Sequence, residues 1–448
     1  MRFVRTFNLL YAAIFGLLAA QPDPVTIRSL DSAAVGGSLD SLILGDPDPT
    51  LMLDLHRIIV SDKKIEYKKS YRVKYLDTLV VRSTEPLRQA VLQQITKPLA
   101  RTAIGVGFDQ QVQTLHQRYY FLHQPVQYQF GLVAPDRLGG VVHIRPAFEN
   151  QFSGILGMSR SGQIWDLTGE FDMHLENLLE TAGSYDMYWK RVDSLSQILK
   201  FEFIEPHPFG LGFGINWNYH HEVIQGLYTF MENQTQFQVS MSVFPVLRLG
   251  FSVGKTLPTE KGRAQGYSEV SFRSFIVSAV HDETDHRFLP AKGYKYEFQL
   301  DGGKQNSAGF LEGQYQLANY FPMTNQSFLM FASQGRSIWS KEDKIPKTRF
   351  YYFGGASTLR GYREQQFFNT SYQVTTLELG YRPVPVWQGN LFIDYATTFP
   401  EPLQHGRLGY GLGFTQVSKQ TIIKIQYAVP GSLDFQNGKL HINWISRL

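Results

Sequence analysis

The sequence predicts an all-β transmembrane barrel of sixteen antiparallel strands, preceded by a small α+β domain of order β-α-α-β-β. Three observations predict it. From about residue 150 onward, apolar and polar residues alternate with a period of two. Aromatic residues make up 14% of the chain and glycines number 39, although the mean hydropathy is only -0.22. Beyond the N-terminus no run of 18 apolar residues occurs, so no segment reads as a membrane-crossing helix. Only alternate residues of a barrel strand face lipid while the rest line a polar lumen, and that division yields this composition.

Taken in order, residues 1–20 read as a secretory signal peptide. A basic MRFVR precedes the apolar run TFNLLYAAIFGLLAA, which ends in the small residues Ala19 and Ala20, placing cleavage near Ala20-Gln21. Residues 21–70 form an N-terminal extension whose structure the sequence leaves open. VTIRSL can be a strand, SAAVGGS and GDPDPT are turn-rich, and LMLDLHRIIV is a short apolar-periodic segment.

Residues 71–149 carry the α+β domain. YRVKYLDTLVV, from Tyr71, reads as one strand by its β-branched and aromatic content. Thr84 is placed to cap a following helix with Pro86 in its first turn, and Leu87, Val91 and Ile95 share one face. Phe108, Val112, Leu115 and Tyr119 share a face of a second helix. VQYQFGLV and GGVVHIRPAF alternate as a strand pair across a turn at Pro135-Asp136. A three-stranded sheet covered on one face by two helices is the economical solution.

Residues 150–448 carry the barrel. Phe237, Val239, Met241 and Val243 alternate with Gln236, Gln238, Ser240 and Ser242. Tyr294, Tyr296, Phe298 and Leu300 alternate with Lys295, Glu297 and Gln299. Leu440, Ile442 and Trp444 do so with Lys439, His441 and Asn443. The runs are long enough for a tilted crossing, and aromatics gather near their ends, at Tyr320-Phe321 and Tyr351 to Phe353. In hydrocarbon every strand edge must be paired, so such a sheet closes. The length suits sixteen strands, and fourteen also fit.

Composition excludes several functions. With no cysteine, thiolate chemistry and cysteine-ligated metals are ruled out. A net charge of +4 without a basic tract gives no footprint for nucleic acid. His143, His174, His207 and His220 are scattered without H-E-x-x-H spacing, and His220-His221 point to opposite faces if extended. Asp46-Pro47-Asp48-Pro49 and Asp282-Glu283-Thr284-Asp285 read as solvated turns rather than cation sites. No catalytic residue, metal or cofactor is expected.

The segment RFYYFGGASTLRGYREQQF, Arg349 to Phe367, resembles the sixth-loop signature of the Omp85 superfamily: an aromatic run, a Gly-Gly pair, then Val-Arg-Gly-Phe/Tyr. Here it supplies Gly354, Gly355, Leu359, Arg360, Gly361 and Tyr362, with leucine in place of valine. GNLFIDYA resembles the barrel-wall motif Phe-x-Asp-x-Gly and supplies Phe392 and Asp394, with Ala396 where the family has glycine. Asp285, Arg287, Pro290 and Gly293 fit the family's D-x-R…P-x-x-G strand entry. Tyr427-Ala428-Val429-Pro430 resembles its penultimate region, Asn177 and Pro206 its first hairpins. The β-α-α-β-β unit looks like the periplasmic POTRA module, present once.

This resemblance implies a loop folded back into the lumen with Arg360 against Asp394. It implies an outer-membrane protein, its N-terminal domain in the periplasm, that inserts outer-membrane proteins or translocates polypeptide without nucleotide or metal. Its partners would be outer-membrane lipid, unfolded outer-membrane or secreted polypeptide clients, and periplasmic or lipoprotein subunits. The alternative is a passive porin or an accessory structural barrel within an outer-membrane complex. Leu448 at the end of the last strand, where barrels commonly carry an aromatic, is atypical.

Overall fold

The computed structural model describes residues 25–27, 51–61, 64–73, 76–100, 102, 104–122, 126–134, 137–161, 164–193, 196–239, 246–341, 344–400, 405–431 and 435–448. The signal-peptide reading of residues 1–20, the turns at 46–49 and 135–136, and the alternating positions 240–243 lie outside them. Packing divides the chain into two compact units. One takes the described residues up to Val80 with 98–112 and 128–142; the other takes 81–97, 113–127 and 143–448.

In the first unit, β1 (Val25–Ile27), β2 (Leu51–Ser61) and β3 (Lys64–Val73) form an antiparallel sheet of order β1-β3-β2. The apolar-periodic segment from Leu51 is thus a strand, in register from Leu51↔Val73 to Ser61↔Lys64. The single strand expected over residues 71–81 is two. Tyr71 to Val73 finish β3, and β4 (Thr78–Ser83) starts afresh in another sheet. Just ahead of β4, Asp77 is bonded to Leu138: its N–H donates to the Leu138 carbonyl (2.9 Å) and its carboxylate accepts from the Leu138 N–H (2.9 Å).

Helices α1 (Gln89–Thr96) and α2 (Val106–Arg118) follow, then β5 (Gln127–Ala134) and β6 (Arg137–Ile144). The element order is β-α-α-β-β, and the sheet order is β4-β6-β5. The expected stripe Phe108, Val112, Leu115 and Tyr119 is buried. Phe108 meets Tyr128 and Phe130 of β5 edge-on, with centroids 4.9 and 5.0 Å apart. Thr84 does not cap α1. The helix begins later, after an extended Arg88 (φ -60°, ψ 138°) that makes no side-chain cap. The Arg88 N–H donates to the Glu180 carbonyl (2.8 Å), and the Pro86 carbonyl accepts from Asn177 Nδ2 (2.9 Å). Backbone already bonded to residues 177–180 does not wind back to Thr84.

The second unit is dominated by a closed wall of sixteen antiparallel strands. In chain order they are β7 (Gln151–Ser161), β8 (Ile164–Glu176), β9 (Ser184–Asp193), β10 (Ser196–Glu205), β11 (Gly214–Ile224), β12 (Tyr228–Val239), β13 (Val246–Pro258), β14 (Val270–Asp282), β15 (Gly293–Gln305), β16 (Ala308–Pro322) and β17 (Ser327–Ser340). A short hairpin, β18 (Tyr351–Phe353) with β19 (Phe367–Asn369), intervenes. The wall then continues as β20 (Ser371–Val384), β21 (Trp387–Thr398), β22 (Arg407–Val417), β23 (Thr421–Pro430) and β24 (Lys439–Arg447).

The period of two sorts side chains between the two faces. On β13, Leu249, Phe251 and Val253 are exposed while Ser252 and Thr256 are buried; on β21, Leu391 and Ile393 are exposed while Phe392, Asp394 and Ala396 are buried. Leu440, Ile442 and Trp444 of β24 also face outward. An exposed apolar belt around a closed wall is the surface that lipid covers. Among the described residues no helix is long and apolar enough to cross a membrane.

One joint of the wall is short. β24 and β7 are in register only at Ser446↔Phe152 and Arg447↔Gln151, whereas β16 and β17 match continuously from Phe310↔Ser340 to Pro322↔Phe328.

The turn between β10 and β11 receives α1. Gln94 Nε2 donates to the Gly210 carbonyl (2.8 Å). In the same unit Tyr119 Oη lies 2.7 Å from His207 Nε2, and His207 Nδ1 lies 2.9 Å from the Leu211 carbonyl. A carbonyl only accepts, so Nδ1 carries the proton and the Tyr119 hydroxyl donates to Nε2. Burial pushes the His207 pKa down and raises the Tyr119 phenol to about 12. The neutral imidazole fits the contact and the imidazolium does not. With its pKa lower folded than unfolded, His207 leaves stability undiminished above the ordinary imidazole value and lowers it as pH falls below that value. Protection factors around residues 119–122 and 207–211, taken relative to the intrinsic amide exchange rate at each pH, are therefore expected to fall from pH 7.5 to pH 5, and His207→Gln to abolish that fall.

Candidate functional site

The connection between β17 and β20 is long and returns to the inner face of the wall. Its stem is the β18–β19 hairpin, in register from Tyr351↔Asn369 to Phe353↔Phe367. Aromatic packing seats it: Phe353 stacks on Tyr372 of β20 at 4.8 Å and 13°. Phe353, Leu359, Tyr372, Val374 and Ala396 form one buried cluster. The alanine that replaces the family glycine thus contributes its methyl to the seat beneath Leu359.

Beyond the stem the chain turns at Gly354 and Gly355, both at positive φ. The Gly354 N–H donates to Thr358 Oγ1 (2.8 Å) and the Gly355 N–H to the Leu359 carbonyl (3.0 Å). This compact turn delivers Arg360 to the wall. Its Nε donates to Asp394 Oδ2 at 2.7 Å, its Nη2 to Asp394 Oδ1 at 2.6 Å, and its backbone N–H to Oδ2 at 3.1 Å. The two side-chain bonds are the bidentate geometry that guanidinium and carboxylate favour. Thr376 Oγ1 adds a bond to Asp394 Oδ1 (2.8 Å), and Glu378 Oε2 accepts from Arg360 Nη1 at 3.5 Å. Arg360 Cζ stands 3.3 Å from the centroid of the Phe392 ring, a cation–π contact in a desolvated place. The Asp394 side chain is fully buried.

The loop backbone passes where the wall lacks side chains. Gly361 has φ +92°, and a Cβ there would lie 2.8 Å from the Val429 carbonyl carbon. Across the ladder from Asp394 stands Gly409, where a Cβ would lie 2.1 Å from the Arg360 carbonyl oxygen. Tyr362 Oη donates to the Leu408 carbonyl (3.0 Å). Leu359, Arg360, Gly361, Tyr362, Phe392 and Asp394 thus meet on one stretch of wall, and Gly354 and Gly355 lie in the turn that leads the loop there.

Sequence reasoning did not find Thr376, Glu378 and Gly409, nor a second anchor at the root of the loop. Arg349 Nη2 donates to Glu312 Oε2 of β16 (2.6 Å), and its Cζ lies 3.9 Å from the Phe272 ring of β14. A signal for Gly409 was present: Gly409, Gly411 and Gly413 recur every second residue in RLGYGLGF, leaving the inner face of β22 bare.

Other polar groups form ion-pair or hydrogen-bond networks. His174 bridges Asp186 (2.5 Å) and Glu176 (2.7 Å). In the 282–285 turn, Asp282 accepts from Thr284 N and Oγ1 (3.0 and 2.7 Å), and Asp285 accepts from Ala291 N and Lys292 N (2.8 and 3.0 Å). Among the described residues no cluster of three or more His, Asp or Glu is placed to hold a metal ion.

Comparison with known proteins agrees with this wall. A protein-family model, the Omp85 superfamily domain, matches residues 189–441. Among solved structures, CdiB from Escherichia coli aligns with a TM-score of 0.56 at 14% identity, covering 94% of this chain and 84% of that one. CdiB from Acinetobacter baumannii aligns at 0.54 and 12%, covering 99% and 86%. BamA from Haemophilus ducreyi lacking POTRA domains 1-3 aligns at 0.50 and 13%, covering 94% of each chain. At such identities these structures speak for the fold. No curated protein matches the sequence. The family match spans more than half of the residues, and with a sixteen-stranded barrel beneath it the chain belongs to the Omp85 superfamily.

Proposed function

We propose that this protein assembles polypeptide into, or passes it across, the outer membrane, with the α+β domain as a POTRA-like module in the periplasm. The observation that carries this reading is the short joint between the first and last wall strands. Beyond Ser446↔Phe152 the ladder stops, so the edges of β7 and β24 offer backbone donors and acceptors for an incoming strand. Strand addition at an open edge takes its affinity from main-chain hydrogen bonds and so accepts many sequences. The edge strands of the β4-β6-β5 sheet would receive clients by the same chemistry. In this reading Arg360 and Asp394 fix the loop rather than react, and no nucleotide, metal or cofactor enters.

Depletion of the protein followed by surface proteomics tests the proposal. Selective loss of other barrels is the result expected for assembly, and loss of one or a few secreted proteins that expected for translocation. An unchanged outer-membrane and secreted complement would sink both and return the protein to a passive or accessory barrel.

A further inference from the structure

In the order of the wall, β14 and β15 are the eighth and ninth of sixteen strands, and the β7–β24 joint lies between the first and the sixteenth. The turn joining β14 to β15 is therefore rooted halfway around the barrel from that joint. Its side chains nevertheless reach the strands on both sides of it.

Toward the first strands, Arg287 Nη1 donates to Glu176 Oε2 at the end of β8 (3.1 Å), and Arg287 Nη2 pairs with Glu176 Oε1. Glu176 Oε2 also accepts the N–H of Glu149 (2.7 Å), and its own N–H donates to Asn150 Oδ1 (2.8 Å). Arg287 thus holds the chain just ahead of β7 through one carboxylate.

Toward the last strands, Leu289 is buried with Val417 of β22 and Ile422 of β23, and Ile445 of β24 packs against them. The Phe288 ring has Arg447 of β24 over it at 5.2 Å and Arg287 at 5.6 Å. Arg447 closes the circuit, its Nε donating to Glu149 Oε2 (2.9 Å) and its Nη2 pairing with Glu149 Oε1. The turn itself is stiff. Asp285 takes the Ala291 and Lys292 N–H groups together with Arg382 Nη2 (3.0 Å), and Arg382 Nη1 donates to the Leu289 carbonyl.

We propose that the 283–292 turn is a strut across the mouth of the barrel that holds the β7–β24 joint closed, with Arg287 and Leu289 as its positioning residues. Two register pairs are too few to hold two strands that match along the rest of neither edge. The cross-lumen contacts bind the end of each strand to one rigid body. Separating β24 from β7 then requires breaking either the Arg287–Glu176 pair or the Leu289 socket along with the Arg447–Glu149 pair. The inference extends the proposed function by naming what restrains the joint, and its test reads the joint itself, so either idea can fail alone.

The chain has no cysteine, so introduced thiols are unambiguous. Phe152→Cys with Ser446→Cys places one across the joint, and Ala318→Cys with Ala332→Cys places a control pair across β16 and β17. Pyrene on both thiols of the full-length protein in phosphatidylcholine vesicles gives excimer emission only when the strands are together. With Arg287→Ala or Leu289→Ala the ratio of open to closed joint is expected to rise roughly tenfold, the factor for one lost charge-assisted or buried contact, while the control emission holds. Unchanged joint emission in both variants, with the control intact, overturns the strut. Should either variant lose the control signal, Arg287→Gln decides, since it removes only the charge-assisted contact at a part-exposed position; no change there overturns the proposal as well.

Discussion

Replacing Arg360 with alanine is expected to free the loop from the wall. The substitution strands Asp394, whose buried carboxylate keeps only Thr376 as a side-chain partner, and removes the cation facing Glu378. Breaking one side of a buried ion pair costs about 3–5 kcal/mol, mainly because the remaining charge stays desolvated. The loop can leave without unfolding the wall, so the cost appears as local opening. Hydrogen exchange of the amides near Gly355 and Arg360 should accelerate by about 100-fold or more, with the heat resistance of the folded barrel changed far less. Asp394→Asn keeps an oxygen for the guanidinium and should open the loop less than Arg360→Ala. Unaltered exchange in Arg360→Ala would remove the ion pair from the account of what seats the loop.

Gly409→Val should produce the same opening with no charge altered. A Cβ at Gly409 would lie 2.1 Å from the Arg360 carbonyl oxygen, which is backbone and cannot rotate away as a flexible side chain could. Overpacking of this kind typically costs about 1–3 kcal/mol, and the loop, not the hydrogen-bonded strand, is the part free to move. Gly389→Ala is the matched control. Its Cβ would meet nothing nearer than 4.0 Å, so exchange and folding should stay as they are. Loop exchange in Gly409→Val equal to that of the control would mean that the wall yields instead.

The sequence made the wall legible because period-two alternation is imposed by the pleat and by lipid on one side only. Leu440, Ile442 and Trp444 against Lys439, His441 and Asn443 could be sorted by eye. The loop and wall motifs placed Arg360 and Asp394 in one site through their resemblance to a family, not through spacing, for 34 residues separate them. Thr376 and Glu378 escaped because polar residues facing inward are expected on every strand, and only the position of the neighbouring strand shows which ones meet the arginine. The β3–β4 break escaped for a different reason. Residues 71–81 have strand composition throughout, and only the pairing divides them, with Tyr71 to Val73 laddered to β2 and Asp77 bonded to Leu138 of β6. Thr84 looked like a cap until tertiary hydrogen bonds to residues 177–180 claimed the turn that it would have capped.

The two-ended seating of the loop has a mechanical meaning. A hoop of hydrogen-bonded staves resists being stretched, yet flattens into an oval under slight lateral load. At its root the loop grips Glu312 and the Phe272 ring, and further along it grips Asp394 and lies against Gly409. A chord fastened to staves eight and ten at one end and thirteen and fourteen at the other brace the hoop in its round form, as a spoke does a rim. Load from the surrounding bilayer is then carried past the braced arc and falls on the staves outside it, where the rim is least joined.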